Sequence, residues 1–346
     1  GATVNTFITQ TFVSKDVAQF WKNNIKFLSA LDRSWDDAWK GKGGSDSDRI
    51  GYTSYVRIPQ RFTVVEGQAL QQQAILNQTV PLTISHQSQI SMGWSSADDR
   101  LLVEEVQERY TMPAGESLAS DTDNKAAKEL YKSIYYSIGT PGTALSSQQT
   151  WLDGVAKLQN VGVPAPFTAI VDPKTQAKLV GTTIPQFNPR GQVSEYFRTG
   201  MFAEEALGIS EWMWDQNLPT HVTGTMTAST PLVDGALQTG STLLLKGFGT
   251  YSFKAGDVFT LLGVNAVNPL SYADTGDLQQ FVIQSDLAGA GAALVTIAPP
   301  IITSGQLQTV TASPANNAQV FYLGATSAVA GTLAATSSRQ SIVMNE

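Results

Sequence analysis

The sequence predicts a mixed α+β protein in which an all-β segment follows several helices. Apolar residues recur at helical spacing within residues 11–31 and 95–139, and this periodicity disappears between residues 221 and 312. In the later region short apolar runs alternate with turns rich in Gly, Pro, Asp and Asn, as in FKAGDVFTLLGVNAVNPL. Strands at this spacing without helices are typical of a small antiparallel barrel or sandwich.

The first predicted element is a helix over residues 11–31. Val17, Phe20, Trp21, Phe27 and Leu28 repeat near the helical period, and the spacing predicts a start capped by Ser14. The polar stretch DDAWKGKGGSDSDRIG then interrupts regular structure.

A long hairpin is predicted next, with strands at Tyr55–Ile58, Phe62–Val65 and Val80–Ile84. Its glutamine-rich middle, QALQQQAILNQT, has few large apolar side chains and cannot anchor a core of its own. Because an isolated hairpin is marginal in water, we expect another element to support it.

A strand, QISMGW, precedes a helical run that begins at Ser95 or Ser96 and ends before Gly139 and Pro141. This predicts about 40 residues of helix, far longer than the usual 11 or 12. Pro113 should kink it. Residues 150–181 then predict helix, strand and helix, and residues 200–219 predict a further helix and strand, which together indicate an α/β domain.

Composition and motifs argue against an enzyme. Charged residues make up 15% of the 346 residues, the net charge is −7, and there is no cysteine. Neither the basic stripe of a nucleic-acid binder nor a catalytic constellation is visible. His86 and His221 are interpreted as structural, and Asp46, Asp48 and Gly51 do not form a calcium loop, because Arg57 occupies the position of the essential Glu. We predict no cofactor and no bound metal.

The order of elements resembles the major capsid (coat) protein of tailed bacteriophages, of the HK ninety-seven type, in the subgroup with an inserted β-barrel domain. The resemblance covers essentially the whole chain. It is carried by SSADDRLLVEEVQERYTMPAGESLA, YSIGTPGT, IVDPKTQAKLVG, FNPRGQVSEYFRTGMFAEEALG, DQNLPTHVTG, FKAGDVFTLLGVNAVNP and ALVTIAPPIITSGQLQTVTASPANNAQV.

This resemblance implies a domain organisation and a role. The implied domains are an N-terminal arm (1–48), an extended loop over a neighbouring subunit (49–87), a peripheral domain with a spine helix (88–145), an axial domain (146–220 and 313–346) and an inserted β-barrel (221–312). The implied function is self-assembly into hexamers and pentamers of an icosahedral head around double-stranded DNA, without sequence-specific DNA binding or membrane association. Scaffolding, portal and decoration proteins are the expected partners, and the virion, assembled in the host bacterial cytoplasm, is the expected location.

Two departures from the family pattern matter. Some members cross-link a loop lysine to a neighbour's asparagine, but no lysine lies between Lys42 and Lys125, so we predict a shell without such cross-links. The family also continues for several tens of residues where this sequence stops, which predicts either a truncated axial domain or an axial domain that closes differently, and we favour truncation. The predicted inter-subunit contact residues are Arg57, Arg61, Glu66, Gln71, Gln72, Gln73, Trp21 and Phe27.

A second hypothesis stays open. A secreted or surface β-rich module that binds carbohydrate through Trp and Gln side chains would also have a surface poor in charge. It predicts a monomer or small oligomer that binds a ligand.

Overall fold

The computed structural model describes two compact units, Gly1–Ile58 with Gln78–Ala127, and Pro59–Asn77 with Lys128–Glu346. The residues it describes are 10–31, 53–68, 70, 72–76, 78–93, 103–143, 145–183, 205–228, 230–324, 337–339 and 341–345. No helix among them is both long enough and apolar enough to cross a bilayer.

The first unit combines helices with a two-stranded sheet. Helix α1 spans Gln10–Asn24 and is followed by a 3₁₀ turn at Leu28–Ala30. Strands β1 (Thr53–Arg57) and β2 (Thr79–Thr83) form the sheet. Helices α2 (Val103–Val106) and α3 (Met112–Leu130) are joined by a π turn at Gln107–Thr111, and the last three residues of α3 belong to the second unit.

Pro113 disturbs the long helix as predicted. Proline has no N–H to donate and its ring clashes with the carbonyl four residues earlier, here that of Arg109. The backbone N–H of Met112 instead reaches the carbonyl of Gln107, five residues back, within the π turn. Widening the helix by one residue before the proline allows the run to continue.

Helix α1 packs tightly on this long helix. A Cβ added at Gly115 would lie 2.6 Å from the Cβ of Phe20, so only glycine permits this approach. The hydroxyl of Thr111 and the amide of Gln107 donate to the Asp16 carboxylate at 2.6 and 3.0 Å. These contacts fix α1 along the long helix.

The second unit contains an α/β layer. Helix α4 (Gln148–Asn160), strand β3 (Phe167–Val171) and helix α5 (Pro173–Thr183) follow one another as predicted. Strand β4 (Glu211–Trp214) pairs in parallel with β3. Every residue of β3 is buried, in a core that includes Trp151, Val155 and Leu179.

The chain then forms an all-β region. Its strands are β5 (Thr220–Val222), β6 (Thr225–Met226), β7 (Leu232–Val233), β8 (Gly240–Lys246), β9 (Thr250–Phe253), β10 (Val258–Val267), β11 (Asp274–Ile283), β12 (Leu287–Ala290), β13 (Ala293–Ile301) and β14 (Val320–Tyr322). Six of them form a sheet in the order β14-β10-β11-β13-β8-β7, and β12-β9-β6 form a second sheet. We call residues 225–322 the β domain.

The six-stranded sheet is nearly closed. Its two edge strands meet where the N–H of Val233 donates to the carbonyl of Ala318 at 2.9 Å and that of Val320 donates to Pro231 at 3.0 Å. Inside lies a continuous apolar core that includes Phe248, Phe253, Phe259 and Phe281. These bonds pair backbone N–H and C=O groups that would otherwise be exposed at the two edges of the sheet.

After the β domain the chain returns to the α/β layer. Strand β15 (Ser337–Arg339) pairs with β5, and β16 (Ile342–Asn345) pairs with β3 on the side opposite β4. The β domain therefore lies, in sequence, between strands of one sheet.

Several predicted features differ from the structure. Residues 62–65 and 89–93 are irregular rather than strands, residues 205–210 form a tight turn with an Ala206–Ile209 bridge rather than a helix, and Ser14 lies inside α1 rather than at its start. The helix predicted over 11–31 ends at Asn24, whose side chain donates to the carbonyl of Phe20. The start predicted at Ser95 or Ser96 lies outside the described residues.

The long helix also ends earlier than predicted. A 3₁₀ turn at Tyr131–Ser133 closes it, and Ile134 is extended. The side chain of Gln280 from β11 explains the early end, because it accepts from the N–H of Ser137 at 2.8 Å and donates to the same residue's carbonyl at 2.9 Å. This pair of bonds imitates one step of a β ladder at Ser137, within a segment, residues 134–138, that has left the helix.

Gln280 also accepts from Lys157 Nζ at 2.6 Å. Burial lowers the pKa of Lys157. One glutamine therefore joins β11, the segment after the long helix and α4.

Replacing Gln280 with leucine should lower the free energy of unfolding of the second unit. Three partners lose their hydrogen bonds, which together costs about 2–4 kcal/mol. Denaturant unfolding should show this loss, whereas Gln284→Leu should have little effect, because Gln284 is exposed and reaches Lys132 only at 3.4 Å. Equal losses in the two variants would contradict the assigned role.

Candidate subunit interface

In the described part of the chain, strands β1 and β2 form a sheet of two strands. Its register runs from Thr53 opposite Thr83 to Arg57 opposite Thr79, and the N–H of Ile58 extends it by donating to Gln78 at 3.0 Å. All five residues of β2 are exposed. Because two strands alone are marginal in water, this element requires a surface to cover it.

The hairpin and its flanks expose an unusual amount of apolar surface. More than half of the large hydrophobic side chains that are exposed in the described part of the chain lie within residues 55–90. Leu70 is fully exposed, and Val64 is 92% exposed. The complete set is Tyr55, Ile58, Phe62, Val64, Val65, Leu70, Ile75, Leu76, Val80, Leu82, Ile84 and Ile90. Concentrated apolar exposure of this kind marks an interaction surface.

Both faces of the sheet carry apolar side chains. Residues directly opposite each other in a ladder point to the same face. Val56 and Val80 therefore share one face with Leu82, whereas Tyr55 and Pro81 share the other. A surface that covered only one face of the hairpin would leave the apolar side chains of the other face in water. The geometry therefore suits a hairpin that lies between two surfaces.

The predicted contact residues of the hairpin lie mainly on its surface. Arg57, Arg61, Glu66 and Gln72 are exposed. Gln73 is half-buried and bonds back to Thr63 twice, accepting from its N–H at 3.0 Å and donating to its carbonyl. Gln71 lies outside the described residues. Four of the predicted side chains are thus available to a neighbouring molecule.

Trp21 and Phe27 lie on the first unit instead. The indole N–H of Trp21 donates to the Thr122 hydroxyl at 3.0 Å, and Phe27 is fully buried within the chain. Trp21 thus contacts α3 through its indole N–H.

Asp123, which sequence reasoning missed, organises this packing. Its buried carboxylate accepts from the N–H groups of Lys26, Phe27 and Leu28 at 2.8, 3.4 and 3.1 Å. The carboxylate thus binds the orphan donors at the start of the 3₁₀ turn. In sequence Asp123 resembles its exposed neighbour Asp121, and no signal separates the two.

His221 has the structural setting predicted for it. It is buried, and its Nε2 lies 3.0 Å from the carboxylate of Asp257, which also accepts from the N–H groups of Gly224 and Lys254. Burial and the Asp257 charge raise the pKa of Tyr131, whose hydroxyl lies 3.4 Å from His221 Nδ1. Through these bonds the Asp257 carboxylate connects His221 and Gly224 to the turn before β10. No group of three metal-ligating side chains forms among the residues described.

Comparisons with known proteins give matches at the level of structure. No family model matches the chain, and no curated protein matches it significantly. A CUS-3 coat protein I-domain is 24% identical over 28% of this chain and 97% of that domain, with a TM-score of 0.22. A chain from Mycobacterium phage Che8 is 15% identical over 79% of this chain and 86% of its own length, with a TM-score of 0.41.

A third similar structure is the capsid of the cyanophage P-SCSP1u. It is 14% identical over 79% of this chain and 83% of its own chain, with a TM-score of 0.36. All three of these solved structures come from phages, and two of them are described as a coat protein I-domain and a capsid, the class of protein that the sequence resembles.

Proposed function

We propose that the chain is a major capsid protein whose copies assemble, as hexamers and pentamers, into the icosahedral head of a tailed phage around double-stranded DNA. The observation that carries the proposal is the hairpin, which exposes apolar side chains on both faces and pairs with no third strand among the residues that the structure describes. A surface of this kind is stabilised when another copy of the chain covers it. The fold implied by the sequence resemblance, with its arm, extended loop, spine helix, axial domain and inserted barrel, belongs to the same proposal.

Weak contacts suffice for such an assembly. Burial of apolar surface contributes about 25 cal/mol per Å² before the entropic costs of association. Each copy in a closed shell makes the hairpin contact and receives one, so the contacts reinforce one another. The net charge of −7 is consistent with an inner wall that encloses DNA without gripping it.

The scaffolding, portal and decoration partners predicted above, and assembly in the host cytoplasm, are further parts of the proposal. They follow from the sequence resemblance alone. We therefore propose that the function of the chain is structural rather than enzymatic, and that its location is the virion.

The experiment that tests the proposal is sedimentation velocity with negative-stain microscopy of the purified chain, alone and with a co-expressed scaffolding protein. Closed shells, tubes or sheets of hexamers are expected. A monodisperse monomer in every condition of salt and concentration would overturn the proposal and favour the carbohydrate-binding module.

The structure gives that alternative little support. The two neighbouring tryptophans of β4 do not share one surface. Trp212 packs edge-on against Trp151, with ring centroids 5.0 Å apart, in the core of the α/β layer, whereas Trp214 is 42% exposed. Carbohydrate sites usually combine a stacking platform with convergent polar groups.

Assembled particles should dissociate fully in denaturant. Because the loop contains no lysine between Lys42 and Lys125, the Lys–Asn bond of cross-linking relatives cannot form there. A denaturing gel of purified particles should show a single band at the chain mass of 37.1 kDa. Ladders of higher mass that resist boiling would contradict this prediction.

A further inference from the structure

The middle of the hairpin, residues 59–77, belongs to the same compact unit as the β domain. Its contact with that domain centres on Gln306, in the turn after β13. Gln60 Nε2 donates to Gln306 Oε1 at 3.1 Å. In return Gln306 Nε2 lies 3.3 Å from both Gln73 Oε1 and the carbonyl of Ala74, so one side chain reaches both limbs of the hairpin.

Tyr272 supports this turn from the loop between β10 and β11. Its hydroxyl lies 3.0 Å from the carbonyl of Gln306, to which it donates, and 3.5 Å from the carbonyl of Phe62 on the hairpin. Tyr272 adopts a left-handed backbone conformation with φ 57°, which non-glycine residues rarely adopt. We call Tyr272 and Gln306 the seat.

The contact between hairpin and seat is polar, neutral and small. Val64, Leu70 and Ile75 remain 92%, 101% and 71% exposed beside it. Neutral hydrogen bonds of this kind each contribute about 0.5–1.5 kcal/mol net. Such a contact orders the hairpin but leaves its apolar side chains free, and it can be exchanged for a larger apolar contact.

We propose that the seat holds the hairpin against its own β domain in the unassembled chain, and that the hairpin leaves the seat when a neighbouring copy covers its apolar side chains. The second half of this proposal rests on the proposed function. A hairpin kept close to its own chain is less available for premature pairing with other copies. The seat is thus a docking surface for residues 59–77 of the same molecule.

The absence of cysteine from the sequence allows a direct test. In the double variant Gln60→Cys with Gln306→Cys, a short reversible thiol cross-linker should join the two positions within one chain. Intact mass and a non-reducing gel of dilute, unassembled protein report this product. The matched control is Gln72→Cys with Gln306→Cys, because Gln72 is exposed and takes part in none of the Gln306 hydrogen bonds described above. Equal yields from the two pairs, or products that join two chains, would overturn the seat.

Hydrogen exchange provides a measurement that requires no cross-link. The single variant Gln306→Ala should speed exchange of the amides in residues 59–76 several-fold while β10, β11 and β13 keep their protection. Unchanged exchange in the hairpin would also overturn the seat.

Assembly then tests the release step. The cross-linked chain should fail to form particles, and reduction of the linker should restore them. If particles formed equally well with the linker intact, the proposed release of the hairpin during assembly would be wrong, whereas the proposed contact between the hairpin and the seat would be unaffected. If the unmodified chain forms no particles at all, the proposed function fails, whereas the intrachain cross-link still reports on the seat.

Discussion

Replacing Asp123 with alanine should destabilise the first unit by about 2–4 kcal/mol, because three backbone N–H groups lose a charged acceptor. The carboxylate is 2% exposed and lies on α3, whereas the three donors belong to the segment after α1. The loss should appear in denaturant unfolding as a lower midpoint with an unchanged slope.

Asp121 on the same helix provides the matched control. Its carboxylate is 46% exposed and pairs with Lys125 four residues later at 2.7 Å. Exposed pairs of this kind contribute about 0–1 kcal/mol, so Asp121→Ala should have a small effect. Similar losses at the two positions would contradict the role assigned to Asp123.

Replacing Val64 with aspartate should abolish assembly and leave the isolated chain folded. Val64 is 92% exposed, so the unfolding free energy of the unassembled chain should change by no more than about 0.5 kcal/mol. In the assembly, the same position would have to bury an unpaired carboxylate, which costs several kcal/mol at every copy.

The conservative variant Val64→Ile is the control. It separates the effect of a buried charge on assembly from an effect of any substitution at position 64. It keeps the apolar surface and should assemble like the original chain, as judged by sedimentation and microscopy. Normal particles from Val64→Asp would show that this part of the hairpin is not buried between copies.

Hydrophobic periodicity predicted the helices and strands that are determined by their own local sequence. The run α4, β3, α5 and the strands β10, β11 and β13 follow from local apolar patterns bounded by Gly, Pro and Asp. Composition likewise predicted a hairpin that cannot form its own core, and the structure shows its apolar residues in water.

The errors occur where distant residues decide local structure. Ile134 and Ile138 have helical spacing, yet the segment between them is not helical, and Gln280, more than a hundred positions away, bonds both backbone groups of Ser137. The bond between Val233 and Ala318 that nearly closes the β sheet also joins distant positions. Side-chain hydrogen bonds of this range leave no periodic signal.

The candidate interface was predicted in part for the same reason. The predicted contact residues of the loop are charged residues and glutamines, and most of those that the structure describes are exposed. The apolar residues around them, such as Leu70, give the stronger physical reason for association. Gln306 and Tyr272 could not be predicted, because each acts on residues more than two hundred positions away.

The central claim is that one copy of the chain covers the hairpin of another within a closed shell. Electron cryomicroscopy of purified particles tests it most directly. The account predicts that residues 53–83 lie along an adjacent copy, with Val64, Leu70 and Ile75 removed from solvent. Particles in which these side chains still face water, or a chain that never forms a shell, would contradict it.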